Sequence, residues 1–235
     1  MSASFQGKRA LVTGGNKGIG FVICQGLLAH SFEVILAARS LDKASSAIEQ
    51  LNSSNVRPIE LDVNDDDSIN SAAKNLSQEI DSLDVLINNA GIYPDEGVNI
   101  LTISRDLLNQ TMNVNAFGAI RVTQAFLPLL TKSSHARVIN TSSGLGKLAG
   151  LSPNIPSYCL SKLTLNGATI MLAEALQDKG IVVNAFNPGW VKTDMGGSSA
   201  PRTPEQGADT AVWLATEAPS NLSGKLFHDR KEVSY

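Results

Sequence analysis

RALVTGGNKGIG, residues 9–20, decides how the rest of this chain is read. A short strand-like run, RALVT (9–13), ends abruptly at glycines, and a helical pattern follows from Gly18 to Ala29. Gly14, Gly18 and Gly20, with Asn16, Lys17 and Ile19 between them, allow a tight turn. They also let a pyrophosphate approach the backbone N–H groups of a helix N-terminus. Spaced glycines alone are a weak signal, and a plain glycine-rich turn is the alternative. A strand before the loop and a helix after it supply the required context.

The same strand-then-helix alternation continues outward from the loop. FEVILAA (32–38) reads as a second strand, with a helix near 41–51. VRPIEL (56–61) is a weaker third, followed by a helix over 65–79 with an acidic first turn. LDVLINN (83–89), RVINTSS (137–143), IVVNAFN (181–187) and KLFH (225–228) complete about seven strands, and long helices fill 104–130, 157–179 and 204–216. Strict alternation implies a parallel sheet covered by helices on both faces, the doubly wound, Rossmann-type α/β class. No repeat, low-complexity tract or linker interrupts the chain, so residues 1–235 read as one domain. In such sheets a ligand lies beyond the C-terminal strand ends. Two long connections there, 89–103 and 188–204, read as functional or disordered, the second as a substrate loop.

Composition narrows the partners. The chain has 235 residues, 43% hydrophobic, with a net charge of −3 and scattered basic residues. This argues against nucleic acid or an anionic membrane as a partner. No run approaches the ~18 apolar residues of a membrane span, and MSASFQGKRA resembles neither a signal nor a transit peptide. Cys24 and Cys159 are expected to stay reduced in the cytosol. His30, His135 and His228 lack ligand spacing, so no metal site is expected.

Cofactor choice turns on the end of the second strand. A carboxylate there would bind a ribose 2′-hydroxyl and select NAD. This chain reads AARS, with Arg39 and no acid until Asp42. Arg39 and Lys17 together suit the 2′-phosphate of NADPH/NADP+ through charge-assisted hydrogen bonds. The alternative is that Arg39 merely flanks a solvated helix start.

TGGNKGIG, then NNAG at 88–91, Tyr158-x-x-x-Lys162 and Pro188-Gly189 together resemble the short-chain dehydrogenase/reductase family over nearly the whole chain. PGWVKTDMGG followed by TPEQGADTAVWLA looks most like its NADPH-dependent carbonyl reductases. The resemblance implies roles residue by residue. Asn89, Ala90 and Gly91 line the adenosine half, with Asp62 and Val63 near the adenine. Asn115 kinks a helix and holds a water beside the lysine. Ser143 orients the substrate, while Ser142 is its non-catalytic neighbour. Tyr158 and Lys162 are the catalytic pair, and Pro188, Gly189, Val191 and Thr193 hold the nicotinamide carboxamide. Monomeric mammalian carbonyl reductases carry a long insertion before the tyrosine that this chain lacks, which leaves a homodimer or homotetramer open.

Tyr158 and Lys162 project side by side from a helix. Tyrosine and lysine are also ordinary helix-surface residues, and only the glycine loop and a serine after strand five weigh toward chemistry. Reduction of a carbonyl leaves negative charge on oxygen, which must take up a proton. Moving a phenol from ~10 to ~7 requires about 4 kcal/mol, and an ammonium ~5 Å away supplies about 3 kcal/mol at a dielectric of ~20. Lysine is therefore expected to lower the tyrosine pKa. Ser143 would hold the substrate oxygen as charge develops, and Cys159 would pack away from the site.

Tyr93, Leu145, Leu148, Leu151, Ile155, Trp190 and Met195 line the cleft expected from 93–97, 144–156 and 188–204. Few charges accompany them, which suits a small hydrophobic ketone or aldehyde. A 3-oxoacyl or hydroxysteroid reductase would leave the catalytic residues unchanged. Epimerases sharing YxxxK carry a different glycine loop and an extra domain. A non-catalytic NADPH-sensing module would typically have lost the tyrosine or lysine.

Overall fold

The protein's structure, a computed structural model, describes residues 7–235; most of the N-terminal stretch read above lies outside them. A single sheet has the order β3-β2-β1-β4-β5-β6-β7-β8. Its strands are β1 (Arg9–Thr13), β2 (Glu33–Ala38), β3 (Val56–Glu60), β4 (Val85–Asn88), β5 (Arg137–Thr141), β6 (Val182–Phe186), β7 (Leu226–His228) and β8 (Lys231–Val233). The helices are α1 (Gly18–Ala29), α2 (Leu41–Leu51), α3 (Asp66–Glu79), α4 (Arg105–Met112), α5 (Gly118–Leu130), α6 (Pro156–Ala175) and α7 (Pro204–Thr216). Strands β1 to β7 pair in parallel. They begin and end within two residues of the expected runs.

Both sheet faces are apolar, which explains why the inner strands read as unbroken hydrophobic runs. Ala10, Val12, Val34, Leu36 and Ile87 pack against Ile23, Leu27, Ala211 and Leu214 of α1 and α7. Leu11, Ile35, Leu86, Val138 and Val183 pack on the other face against α3 and α5. Strand β3 reads as weak because it is the edge strand, the place where Pro58 is tolerated.

Two features depart from the expected pattern. An eighth strand turns back antiparallel on β7. Asp229 and Arg230 form its two-residue turn with φ of 48° and 60°, the geometry usually signalled by Asn-Gly. Tertiary ion pairs hold it instead: Arg202 grips Asp229, and Arg230 grips Asp209 of α7. The helix expected over 104–130 is also broken by a π turn at Asn113–Phe117, the wider geometry often found at functional sites. Among the described residues no helix is long and apolar enough to cross a membrane.

Candidate active site

The order 3-2-1-4 makes the chain wind in opposite directions from β1, opening a crevice beyond β1 and β4. The glycine loop follows β1. Gly14 and Gly18 have φ of 63° and 55°, and a side chain on Gly20 would drive its Cβ into the Gly14 carbonyl oxygen and Asn89 Nδ2. Ser40, Asp65, Ser104 and Thr203 cap α2, α3, α4 and α7. Helix α1 has no side-chain cap at Lys17 and no acid in its first turn. Its leading N–H groups thus suit an anion, and the loop fits a dinucleotide pyrophosphate.

Asn89, expected at the adenosine half, is tied to this loop. Its Nδ2 donates to the carbonyls of Thr13 (3.1 Å) and Gly14 (3.3 Å). Thr13, passed over in the sequence, receives the N–H groups of Asn89 (2.9 Å) and Ala90 (3.1 Å) on its hydroxyl. Gly91 lies close to Asn115 and Lys162: an added Cβ would stand 3.3 Å from Asn115 Oδ1 and 3.7 Å from Lys162 Nζ.

Arg39 is exposed just beyond β2 and takes part in none of the described ion pairs. Asp62 and the buried Val63 follow β3, with Asp62 Oδ1 accepting the Asn64 N–H at 2.9 Å. Lys17 departs from the expected pairing with Arg39: its ammonium lies 2.8 Å from Asp194. This exposed ion pair joins the glycine loop to the 188–204 loop, and such pairs are weak in water.

Lys162 is turned inward and only 4% exposed. Its ammonium donates to the Thr141 carbonyl at 2.7 Å and lies 5.6 Å from the centroid of the Tyr158 ring. Tyr158 is half-buried, with the Ser143 side chain in electrostatic reach of its hydroxyl. Ser143 Oγ also accepts the Leu145 N–H at 3.1 Å. Ser142 points the other way, donating to Asn166 Oδ1 at 2.5 Å inside the protein.

The expected lowering of the tyrosine pKa is corrected here. Burial pushes Tyr158 up to about 12 against the opposing pull of the Ser143 side chain. Burial likewise lowers Lys162 to about 8. Coulomb arithmetic on the pair alone leaves out the desolvation of both groups. In the protein itself the phenol is held protonated at neutral pH, the form that donates a proton.

Asn115 sits in the π turn, 1% exposed. Its side chain accepts the Ile92 N–H at 2.8 Å and donates to the Ile92 carbonyl (2.9 Å) and to Ser161 Oγ (3.0 Å). It pins the segment after Gly91 to α6. Beyond β6, Pro188 and Val191 are buried, and Gly189 has φ of 77°. Thr193 adjoins the glycine loop, 3.3 Å from where a Gly18 Cβ would stand. The 188–204 loop is folded on itself: Val191 bridges to Arg202, and Trp190 Nε1 donates to the Gly196 carbonyl at 2.8 Å.

Of the expected substrate residues, Tyr93 meets the Tyr158 ring edge-on, centroids 5.1 Å apart. Leu145 lies two residues after Ser143, and Trp190 and Met195 are exposed on their loop. Leu148 and Leu151 are exposed as well. Cys159 is buried with a free thiol, as expected of a packing residue. A buried carboxylate that sequence reading missed, Asp95, reaches the first turn of α6.

A doubly wound sheet whose crevice joins an uncapped glycine loop to half-buried Tyr158 and Ser143 and buried Lys162 defines an α/β protein of the dinucleotide-binding type. Residues 8–203 match the short chain dehydrogenase family, and the chain belongs to that family. Within it the chain falls in the carbonyl reductase-like branch, an oxidoreductase type acting on carbonyl or alcohol groups. A short-chain dehydrogenase of Penicillium roqueforti is 36% identical over 95% of this chain and 94% of its own length. The Bos taurus protein named Carbonyl reductase [NADPH] 1 is 33% identical, with 92% of each chain covered. A carbonyl reductase from chicken fatty liver, solved with NADPH bound, superposes with a TM-score of 0.89 at 30% identity. That superposition covers 98% of this chain and 100% of the other.

Proposed function

We propose that this protein is an NADPH-dependent carbonyl reductase that converts hydrophobic ketones or aldehydes to alcohols, with Tyr158 as the proton donor. The observation that carries the reading is the cluster itself: a protonated, half-buried phenol with the Ser143 side chain in electrostatic reach and a buried ammonium 5.6 Å from its ring centroid. NADPH, when bound, supplies the hydride. Ser143 holds the substrate oxygen and favours the developing alkoxide. Tyr158 transfers its hydroxyl proton to that oxygen. Lys162 keeps positive charge beside the phenolate that results and binds the nicotinamide ribose. Asn115 keeps the Ile92 backbone in place beside them. The uncapped start of α1 binds the pyrophosphate, Asn89, Ala90 and Gly91 with Asp62 and Val63 enclose the adenosine half, and Pro188, Gly189, Val191 and Thr193 hold the carboxamide.

Cofactor preference rests on Arg39, which has no described competitor for a 2′-phosphate; NADPH recruits Lys17 only by displacing Asp194. Arg39→Asp is expected to lower kcat/KM with NADPH by roughly 10–100-fold, the loss of a charged hydrogen bond. NADH becomes the better reductant. Initial rates with both cofactors check this, and unchanged ratios would remove Arg39 from the phosphate site. Apolar exposure at the cleft, from Tyr93, Leu148, Leu151, Trp190 and Met195, supports a hydrophobic substrate. Leu160, Ile170 and Met171 on the outer side of α6, with Phe117, are exposed too. They support a homo-oligomer built through α5 and α6; a monomer by light scattering would count against it.

A further inference from the structure

The helix that carries Tyr158 begins badly by its own local sequence. Ile155 stands at its N-cap and offers no side-chain acceptor, and Pro156 follows at the first position. Ser157 and Tyr158 then present N–H groups that the helix cannot satisfy. Asp95, sixty-three residues before Tyr158, meets both. Its Oδ1 accepts the Ser157 N–H at 3.0 Å and the Ser157 hydroxyl at 2.8 Å. Its Oδ2 accepts the Tyr158 N–H at 2.8 Å. The carboxylate is 1% exposed. Buried carboxylates are costly unless fully engaged, and here three donors at the positive end of a helix engage it.

We propose that Asp95 is the positioning residue of the proton donor: it caps α6 from the facing loop and so fixes where the Tyr158 ring stands. The placement is tight at every point. The Tyr158 N–H is held by Asp95, and its ring meets that of Tyr93, two residues upstream of Asp95. Ser157 Oγ also lies 3.0 Å from Thr111 Oγ1 in α4, which ties the cap into a third element. Elsewhere on the same loop, Ile100 N–H donates to the Pro153 carbonyl at 2.7 Å, and Asn99 Nδ2 donates to Asn154 Oδ1 at 2.9 Å. The 92–103 loop, which walls the substrate side with Tyr93, and the first turn of α6 therefore move as one body. Fraying that turn moves Tyr158 itself, because the tyrosine sits within it.

The inference rests on Tyr158 being the proton donor. It is tested with the full-length protein, NADPH and a hydrophobic ketone, measuring kcat, KM for NADPH, and NADPH affinity by fluorescence titration. A misplacement of about 1 Å costs on the order of 10²-fold in rate. Asp95→Ala is expected to lower kcat by roughly 10–100-fold, while NADPH affinity stays within about twofold. Asp95→Asn, which keeps one acceptor oxygen, is expected to fall between parent and Asp95→Ala. Parent-like kcat in Asp95→Ala, or a loss confined to KM, overturns the positioning role. If Asp95→Ala fails to bind NADPH, Asp95→Asn decides the matter, and parent-like kcat in that variant overturns the role. Tyr158→Phe measured alongside separates two failures. If that variant keeps its turnover, the proton-donor assignment falls; if it is dead while Asp95→Ala is active, only the role of Asp95 falls.

Discussion

Tyr158→Phe is expected to lose between about 10² and 10⁴ of the ketone reduction rate, the range a positioned general acid supplies, and to bind NADPH as the parent does. The substitution deletes one oxygen and leaves a ring of the same shape. Its edge contact with Tyr93 and its backbone bond to Asp95 both survive. What disappears is the phenol hydroxyl, which burial keeps protonated at neutral pH. Rates in single turnover with NADPH, together with a binding titration, check the result. Turnover near that of the parent would mean that the proton comes from elsewhere.

Lys162→Met has the second large effect, and it splits in two directions. Activity is expected to fall by at least about 10²-fold, because in the proposed reaction the phenolate formed on proton transfer loses its cationic neighbour. Stability, measured without nucleotide at pH 7, rises. Burial lowers the Lys162 pKa from 10.5 to about 8, which corresponds to about 3 kcal/mol at ~1.4 kcal/mol per pH unit. A lysine with a depressed folded pKa destabilises the fold in full below about pH 8, where both states carry the charge. Between about pH 8 and 10.5 the unfolded chain binds more protons, so stability climbs with pH. Methionine removes that cost and keeps most of the stem's packing, while the Thr141 carbonyl loses a donor. The net gain at pH 7 is about 1–3 kcal/mol, visible as a rise of roughly 2–4 °C in Tm per kcal/mol. A variant less stable than the parent at pH 7 would show that the ammonium is better accommodated than its burial implies. A functional residue that destabilises its own fold is a familiar exchange between stability and activity.

Most of the sheet was readable because buried parallel strands leave continuous apolar runs, and each run from RALVT to KLFH stops at the loop that faces the crevice. The glycine loop, Tyr158 and Lys162 stood out only in combination, and Ser143 only through the resemblance, because each alone also reads as an ordinary turn, helix surface or loop hydroxyl. Strand β8 was not, since its turn uses Asp229 and Arg230, held left-handed by partners on α7 and the 188–204 loop that no local pattern reveals. The π turn was hidden for a related reason: helical periodicity over 104–130 hardly changes when one extra residue is inserted in a turn. The sign of the Tyr158 shift depends on desolvation, which spacing along a helix does not encode. Asp95 left one trace, a helix start at Ile155-Pro156 with nothing to cap it. Its partner lay in a Pro-Asp-Glu-Gly stretch that reads as an ordinary turn.

The measurement that bears most directly on the whole account is kcat/KM for reduction of hydrophobic ketones by NADPH, followed from weakly acid to alkaline pH. Carbonyl reduction by a protonated Tyr158 predicts measurable turnover that is level through neutrality. It then falls as pH rises past about 8, where Lys162 gives up its charge. NADPH that binds yet is never oxidised across a broad carbonyl panel would contradict it, as would a rate that climbs steadily with pH through the neutral range.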